Sequence, residues 1–130
     1  MYYPDGSKYI YSRQSEIDDI INIGWLSHEF AFNKGEVNTD IKNKILEIIY
    51  LKKCNVMRGI YKCDFCKSEI SVPHHSGKIL LGHAEIWIPS ISSNLIYASP
   101  TLIYHYIDKH HYLPPANYME SLMSFDLNSK

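Results

Sequence analysis

Cys63-Asp64-Phe65-Cys66 places two thiols two residues apart, and far downstream His105-Tyr106-Ile107-Asp108-Lys109-His110 places two imidazoles near the end of a predicted helix. Thiolate and imidazole are the donors Zn²⁺ takes in tetrahedral structural sites, each of them deprotonated. A tight C-x-x-C turn aims both sulfurs the same way. On the helix, Leu102, Ile103, Tyr106 and Ile107 form the apolar face, with His110 on that face and His105 on its flank. Five residues at about 100° each leave the two imidazoles roughly 140° apart, so the last turn must loosen for both to reach one ion. His111 is the alternative to His110 at this stage, because both spacings occur in zinc sites. The pattern therefore predicts a structural Zn²⁺ on a C2H2 ligand set.

Other chemistry for the same residues fits less well. A redox role for the cysteine pair lacks the strand-then-helix setting of thioredoxin-like motifs. Histidines near a helix C-terminus can also simply complement the helix dipole. Cys54 reads as a small buried hydrophobe rather than a reactive thiol. His83-Ala84-Glu85 matches the H-x-E half of the zinc nucleobase-deaminase signature, but there a P-C-x-x-C half lies downstream. Here the cysteine pair lies upstream, and Lys62 rather than proline precedes it. A deaminase or hydrolase also needs an open metal position, which two cysteines and two histidines would close. Glu85 is accordingly expected as a solvent-facing strand residue. His74, His75 and His83 are spare candidates, since four ligands complete the site without them.

The elements that must position these groups read as follows. Residues 1–14 form an irregular arm or short strand with a turn at Pro4-Asp5-Gly6. Ser15-Glu16-Ile17-Asp18 resembles a helix start, Ile17, Ile20 and Ile21 share one face, and Gly24 can stop that helix. Asn38-Thr39-Asp40 caps a clearer helix carrying Ile41, Ile45, Ile48 and Ile49 at helical spacing, with Lys42, Asn43, Lys44 and Glu47 covering its other side. From Met57 the pattern changes to short strands at 69–72, 79–81, 84–88 and 95–98, with a loop at 73–77. Ser99 is expected to cap the last long helix, with Pro100 at its first position, running over 101–111 and ending before Pro114-Pro115. A short helix follows at about 116–123.

The chain has 130 residues, 45% of them hydrophobic, which fits one globular domain. Its helical part is expected at about 12–55 and a zinc-binding ββα-like part at about 56–124. The net charge is −1, with 13 basic and 14 acidic residues, so the basic excess usual in duplex binders is absent. A DNA-reading C2H2 finger also has about 12 residues between its Cys and His pairs and presents Arg, Asn or Gln to bases. This helix presents tyrosines, Asp108 and one lysine. No apolar run is long enough to span a membrane, and the N-terminus lacks signal-peptide character, so a cytoplasmic location is expected. The 11 tyrosines suit the edge of a core and a protein interface.

Gly24-Trp25-Leu26, Gly35-Glu36-Val37, Arg58-Gly59, the C-x-x-C pair, Ala84-Glu85-Ile86-x-Ile88-Pro89 and the block from Tyr97 to Pro115 containing H-Y-I-x-x-H-x-Y-x-P-P resemble a family of small, uncharacterised bacterial zinc-finger-like proteins. The resemblance covers about residues 20–120. It implies Cys63, Cys66, His105 and His110 as ligands, favouring His110 over His111. It also implies a small zinc-finger-like protein, some relatives of which accompany secreted toxins as immunity partners. His83 and the loop histidines depart from that pattern and leave a second, weaker metal site open.

The sequence thus predicts an α+β fold. A helical N-terminal part packs on a small antiparallel sheet with a zinc knuckle, and a C-terminal helix is stapled to that knuckle. The expected function is non-enzymatic binding of another protein, as an immunity or adaptor protein. Nucleic-acid binding is the alternative, and a zinc hydrolase or deaminase the third reading.

Overall fold

The computed structural model describes residues 2–9 and 19–128. Along the chain these form β1 (Asp19–Asn22), α1 (Thr39–Lys52), β2 (Ser71–His74), β3 (Gly77–Leu80), β4 (Glu85–Pro89), β5 (Leu95–Pro100), α2 (Ile103–His110) and α3 (Ala116–Ser124). The architecture is α+β, as the sequence predicts. The three-stranded sheet is mixed: β5 is central, parallel to β1 and antiparallel to β4. The pair β2–β3 forms a separate antiparallel hairpin.

Side-chain alternation divides the three-stranded sheet into two faces. Ile86 and Ile88 of β4 and Tyr97 of β5 point into the main core, which also holds Ile45, Ile48 and Ile49 of α1, Ile103 and Ile107 of α2, and Leu122 of α3. Ile20, Ala98, Trp87 and Ile96 lie on the opposite face, where Tyr9 of the N-terminal arm covers them. That arm runs beside β1 through backbone hydrogen bonds from Tyr9 to Ile20 and from Asn22 to Ser7. Helix α1 begins where its cap predicts, with the Asn38 side chain accepting from the Asp40 N–H.

Three expected elements differ. Where a helix stopping at Gly24 was expected, Asp19–Asn22 is a strand; the proposed cap at Ser15 and the face residue Ile17 lie outside the described residues. Ile20 and Ile21 are β-branched and suit a pleated surface, and pairing with Ile96 and Tyr97 buries Ile20 on one face while Ile21 packs against the main core. Gly24 does act as a stop: its φ of +84° turns the chain, and its N–H donates to Asp5. The second difference concerns Ser99 and Pro100, expected to start the last helix. Both remain in β5, paired with Ile86 and Glu85. The Ser99 hydroxyl donates to Tyr118 rather than capping, and Thr101 donates its N–H to Ala84. The sheet ladder thus competes successfully for residues that local propensity assigns to a helix. The expected 73–77 loop is likewise shorter, because the hairpin strands extend to His74 and resume at Gly77.

Gly82 sets the path into the cysteine turn. Its φ is +97°, and a Cβ there would stand 2.3 Å from the Tyr61 carbonyl oxygen. This close approach allows the Tyr61 N–H to donate to the Gly82 carbonyl at 2.8 Å. Gly82→Ala should therefore lower stability by about 2–4 kcal/mol, combining a positive-φ penalty with a backbone clash. A shift in the urea midpoint at constant slope would measure it.

Candidate metal centre

The C-x-x-C segment folds as a knuckle. Cys63 donates its N–H to the Ser68 carbonyl at 3.0 Å, and Lys67 donates back to the Cys63 carbonyl at 2.7 Å. Lys67 takes a left-handed conformation with φ 58°, which turns the chain away after Cys66. The backbone N–H groups of Cys66 and Phe65 point at the Cys63 sulfur. Such donors stabilise a thiolate. Cys63 is fully buried, whereas Cys66 is exposed.

Helix α2 supplies the other two groups, and a left-handed cap closes its end. The N–H groups of both His111 and Tyr112 reach the Tyr106 carbonyl, spanning five and six residues instead of four. Such long-span bonds are what a left-handed residue just past a helix end produces, here His111 at φ 59°. The α-helix itself runs regularly through His110, so the predicted loosening of its last turn does not occur, and the two imidazoles meet through the reach of their side chains. His105 and His110 accordingly sit with their Nε2 atoms 3.2 Å apart. His111 adopts φ 59° at the cap and lies outside the cluster.

The four groups converge. His110 Nε2 lies 3.4 Å from both sulfurs, and His105 Nε2 lies 3.4 Å from Cys66. Ordinary hydrogen bonding does not account for this, because one imidazole nitrogen faces two sulfurs and a second nitrogen with at most one proton to share. Bonds of about 2.3 Å to sulfur and 2.0–2.1 Å to nitrogen in a tetrahedron would set S···N near about 3.5 Å and N···N near about 3.3 Å. The observed edges match that frame, so the cluster is compatible with a metal ion.

The electrostatics agree with this. Burial, followed by the neighbouring His110 imidazole, holds His105 below its usual pKa. Burial also lowers His110, with His111 and Lys34 adding to the effect. Both imidazoles are thereby held in the neutral, ligating form near neutral pH. Burial pushes the Cys63 thiol up, so an incoming cation has to displace its proton.

Several supporting residues carry no sequence signal. Asp64, inside the knuckle, accepts from the His28 N–H at 2.7 Å and from Lys67 at 3.1 Å, and the His28 imidazole also contacts it. These donors, led by the His28 backbone N–H, hold its carboxyl well below the usual range. Phe65 stacks on His110 with centroids 4.6 Å apart and packs edge-on against Phe32 and Tyr106. The knuckle is thus tied both to the 27–32 loop and to α2.

The remaining candidates fall elsewhere. Glu85 is buried at 7% exposure, which corrects the expectation that it faces solvent. Its carboxylate accepts from Tyr9, Asn55 and the Trp87 indole, and it is not among the four converging groups. The arm closing over β4 buries it, and an arm so distant in sequence leaves no trace in the local alternation. Cys54 is half-buried, and burial followed by the Glu85 charge pushes its thiol to about 11. It is therefore protonated at neutral pH. His83 belongs to neither His-containing cluster, and its Nδ1 has no partner among the described residues. His74 and His75 both contact Glu47.

A family model described as "Domain of unknown function (DUF7919)" matches residues 1–123. No curated protein and no solved structure matches the chain.

Glu85 should behave as a structural acceptor. Glu85→Ala orphans buried donors and is expected to cost about 2–4 kcal/mol, whereas Glu85→Gln, which keeps an acceptor oxygen, should cost clearly less. Chemical denaturation of the two variants would separate them, and equal losses would refute this assignment.

Proposed function

We propose, for a chain that belongs to the DUF7919 family of domains of unknown function, that Cys63, Cys66, His105 and His110 hold a structural Zn²⁺ in a non-enzymatic protein that binds another protein, as an immunity or adaptor protein does. The convergence of two sulfurs and two imidazole nitrogens with tetrahedral edges carries the metal part of this reading. Zinc suits that mixed soft and borderline donor set. Four protein donors leave no position for a reacting water, and Glu85, the one residue with a catalytic motif, is engaged elsewhere.

The binding part rests on the segment that joins α1 to the knuckle. Val56, Ile60 and Tyr61 are 61%, 38% and 40% exposed, with no regular secondary structure around them. Beside them lies a cavity of about 190 Å³, lined by Trp25, Leu26, Met57, Tyr61, Leu102 and Tyr106 among others. Apolar and aromatic groups next to a concavity are the usual anchors of protein interfaces. No helix is long and apolar enough to cross a membrane among the described residues.

Native mass spectrometry should find one tightly bound Zn²⁺, and Cys63→Ser should lose both the ion and the cooperative melt, because metal binding contributes directly to folding. A variant that folds normally without zinc would overturn the structural assignment. Zinc affinity should fall as pH drops, since the Cys63 thiol must release its proton and both imidazoles must stay neutral. A pH-independent affinity would count against this ligand set. Ile60→Asp should abolish protein capture in pull-downs without shifting the melting temperature. Oligonucleotide binding with a steep salt dependence would instead favour the nucleic-acid alternative.

A further inference from the structure

The sequence places Glu47 on the solvated side of α1 and His74-His75 in a hairpin turn; the fold brings the three together. The turn breaks strand alternation after His74, so two consecutive imidazoles face the same way, with centroids 3.8 Å apart. His74 Nε2 lies 2.9 Å from one oxygen of Glu47, and His75 Nε2 lies 2.9 Å from the other. Tyr50, one turn beyond Glu47, packs against both rings. The His74 side chain is only 3% exposed, whereas His75 is 69% exposed. One imidazole is therefore held in place while the other opens to solvent.

We propose that Glu47, His74 and His75 form a second metal site, for an exchangeable divalent first-row transition ion held between α1 and the β2–β3 hairpin. Two imidazoles and a carboxylate suit such ions better than Ca²⁺ or Mg²⁺, which prefer all-oxygen shells. Donors at right angles around an ion with bonds of about 2.1 Å stand roughly 3 Å apart; each imidazole Nε2 lies 2.9 Å from a Glu47 oxygen, and the three donors lie within 4.8 Å of one another. The Ser76 N–H donates to His74 Nδ1 at 3.2 Å, so the ion-free imidazole carries its proton on Nε2 and has to change tautomer to bind an ion, with the Ser76 hydroxyl, 2.7 Å from Nδ1, as the acceptor for the moved proton. Without the ion, the two imidazoles hydrogen-bond to Glu47. Three protein donors leave the remaining positions to water. The ion here is therefore more weakly held than one on a four-ligand thiolate site, and it enters from the His75 side.

The test is a Co²⁺ titration of the full chain, followed by visible absorption and native mass spectrometry. The thiolate site reports itself by sulfur-to-cobalt charge transfer; the second site has no sulfur and adds only weak ligand-field bands. Wild type should take two ions. His75→Ala, which removes a largely exposed side chain, and Glu47→Gln should each take one, with the charge-transfer band unchanged. A wild type that stops at one equivalent in millimolar Co²⁺, or a second equivalent retained by both variants, would overturn the proposal. Loss of the charge-transfer band alone would instead refute the Cys/His site and leave this one standing.

Discussion

The structure depends on bringing the cysteine knuckle and the end of α2 to a single point. Cys66 and His105 are 39 residues apart in the chain, and between them lie the hairpin and two of the three strands of the mixed sheet. Everything in that interval must be folded before the four donors can meet. Closing such a loop is entropically unfavourable, though each doubling of its length adds only about 0.6 kcal/mol. Contacts of the protein itself offset part of that cost. Gly82 lets the approach to the knuckle lie against the 81–84 loop, Asp64 fastens the knuckle to His28, and Phe65 inserts among Phe32, Tyr106 and His110. The end of α2 then holds His105 and His110 with their Nε2 atoms 3.2 Å apart. A metal bound here would supply the rest by tying the knuckle to α2.

The sheet supplies the rigidity behind that cage. Its central strand β5 continues through Pro100 almost directly into α2, so the register with β4 determines where α2 begins. Tyr118 of α3 takes the Ser99 hydroxyl, and Tyr112, just past α2, donates to Asp5 of the N-terminal arm. Tyrosine thus serves here as a connector, with its ring buried and its hydroxyl spent on a distant element. This accounts for part of the tyrosine content that would otherwise be assigned to an interface. The buried carboxylate of Glu85 plays a similar part on the opposite face, joining the arm, the end of α1 and β4 through Tyr9, Asn55 and Trp87.

The two histidine-containing clusters differ in how each is built. The Cys/His cluster joins elements distant in sequence and is half sunk into the core. The Glu47–His74–His75 cluster joins one helix face to one hairpin turn and lies nearer the surface. The first is suited to holding a fold together and the second to exchange with solvent.

What the sequence alone determined is local. The Asn38 cap and the spacing of Ile45, Ile48 and Ile49 specify α1, and thiol and imidazole spacing single out Cys63, Cys66 and His105 with His110 or His111 as the fourth group, because cap chemistry, helical period and turn geometry all act within a few residues. Tertiary structure decided whatever depended on a partner far along the chain. Ile20 and Ile21 are as compatible with a helix face as with a strand until Ile96 and Tyr97 offer a ladder. Ser99 and Pro100 read as a helix start until Ile86 and Glu85 hold them in the sheet. Glu85 looks solvated until Tyr9 closes over it, and Glu47 looks like an ordinary surface charge until a hairpin turn brings two imidazoles to it. In each case the local preference is worth a few tenths of a kcal/mol to about 1 kcal/mol, and burial or pairing with a distant segment outweighs it.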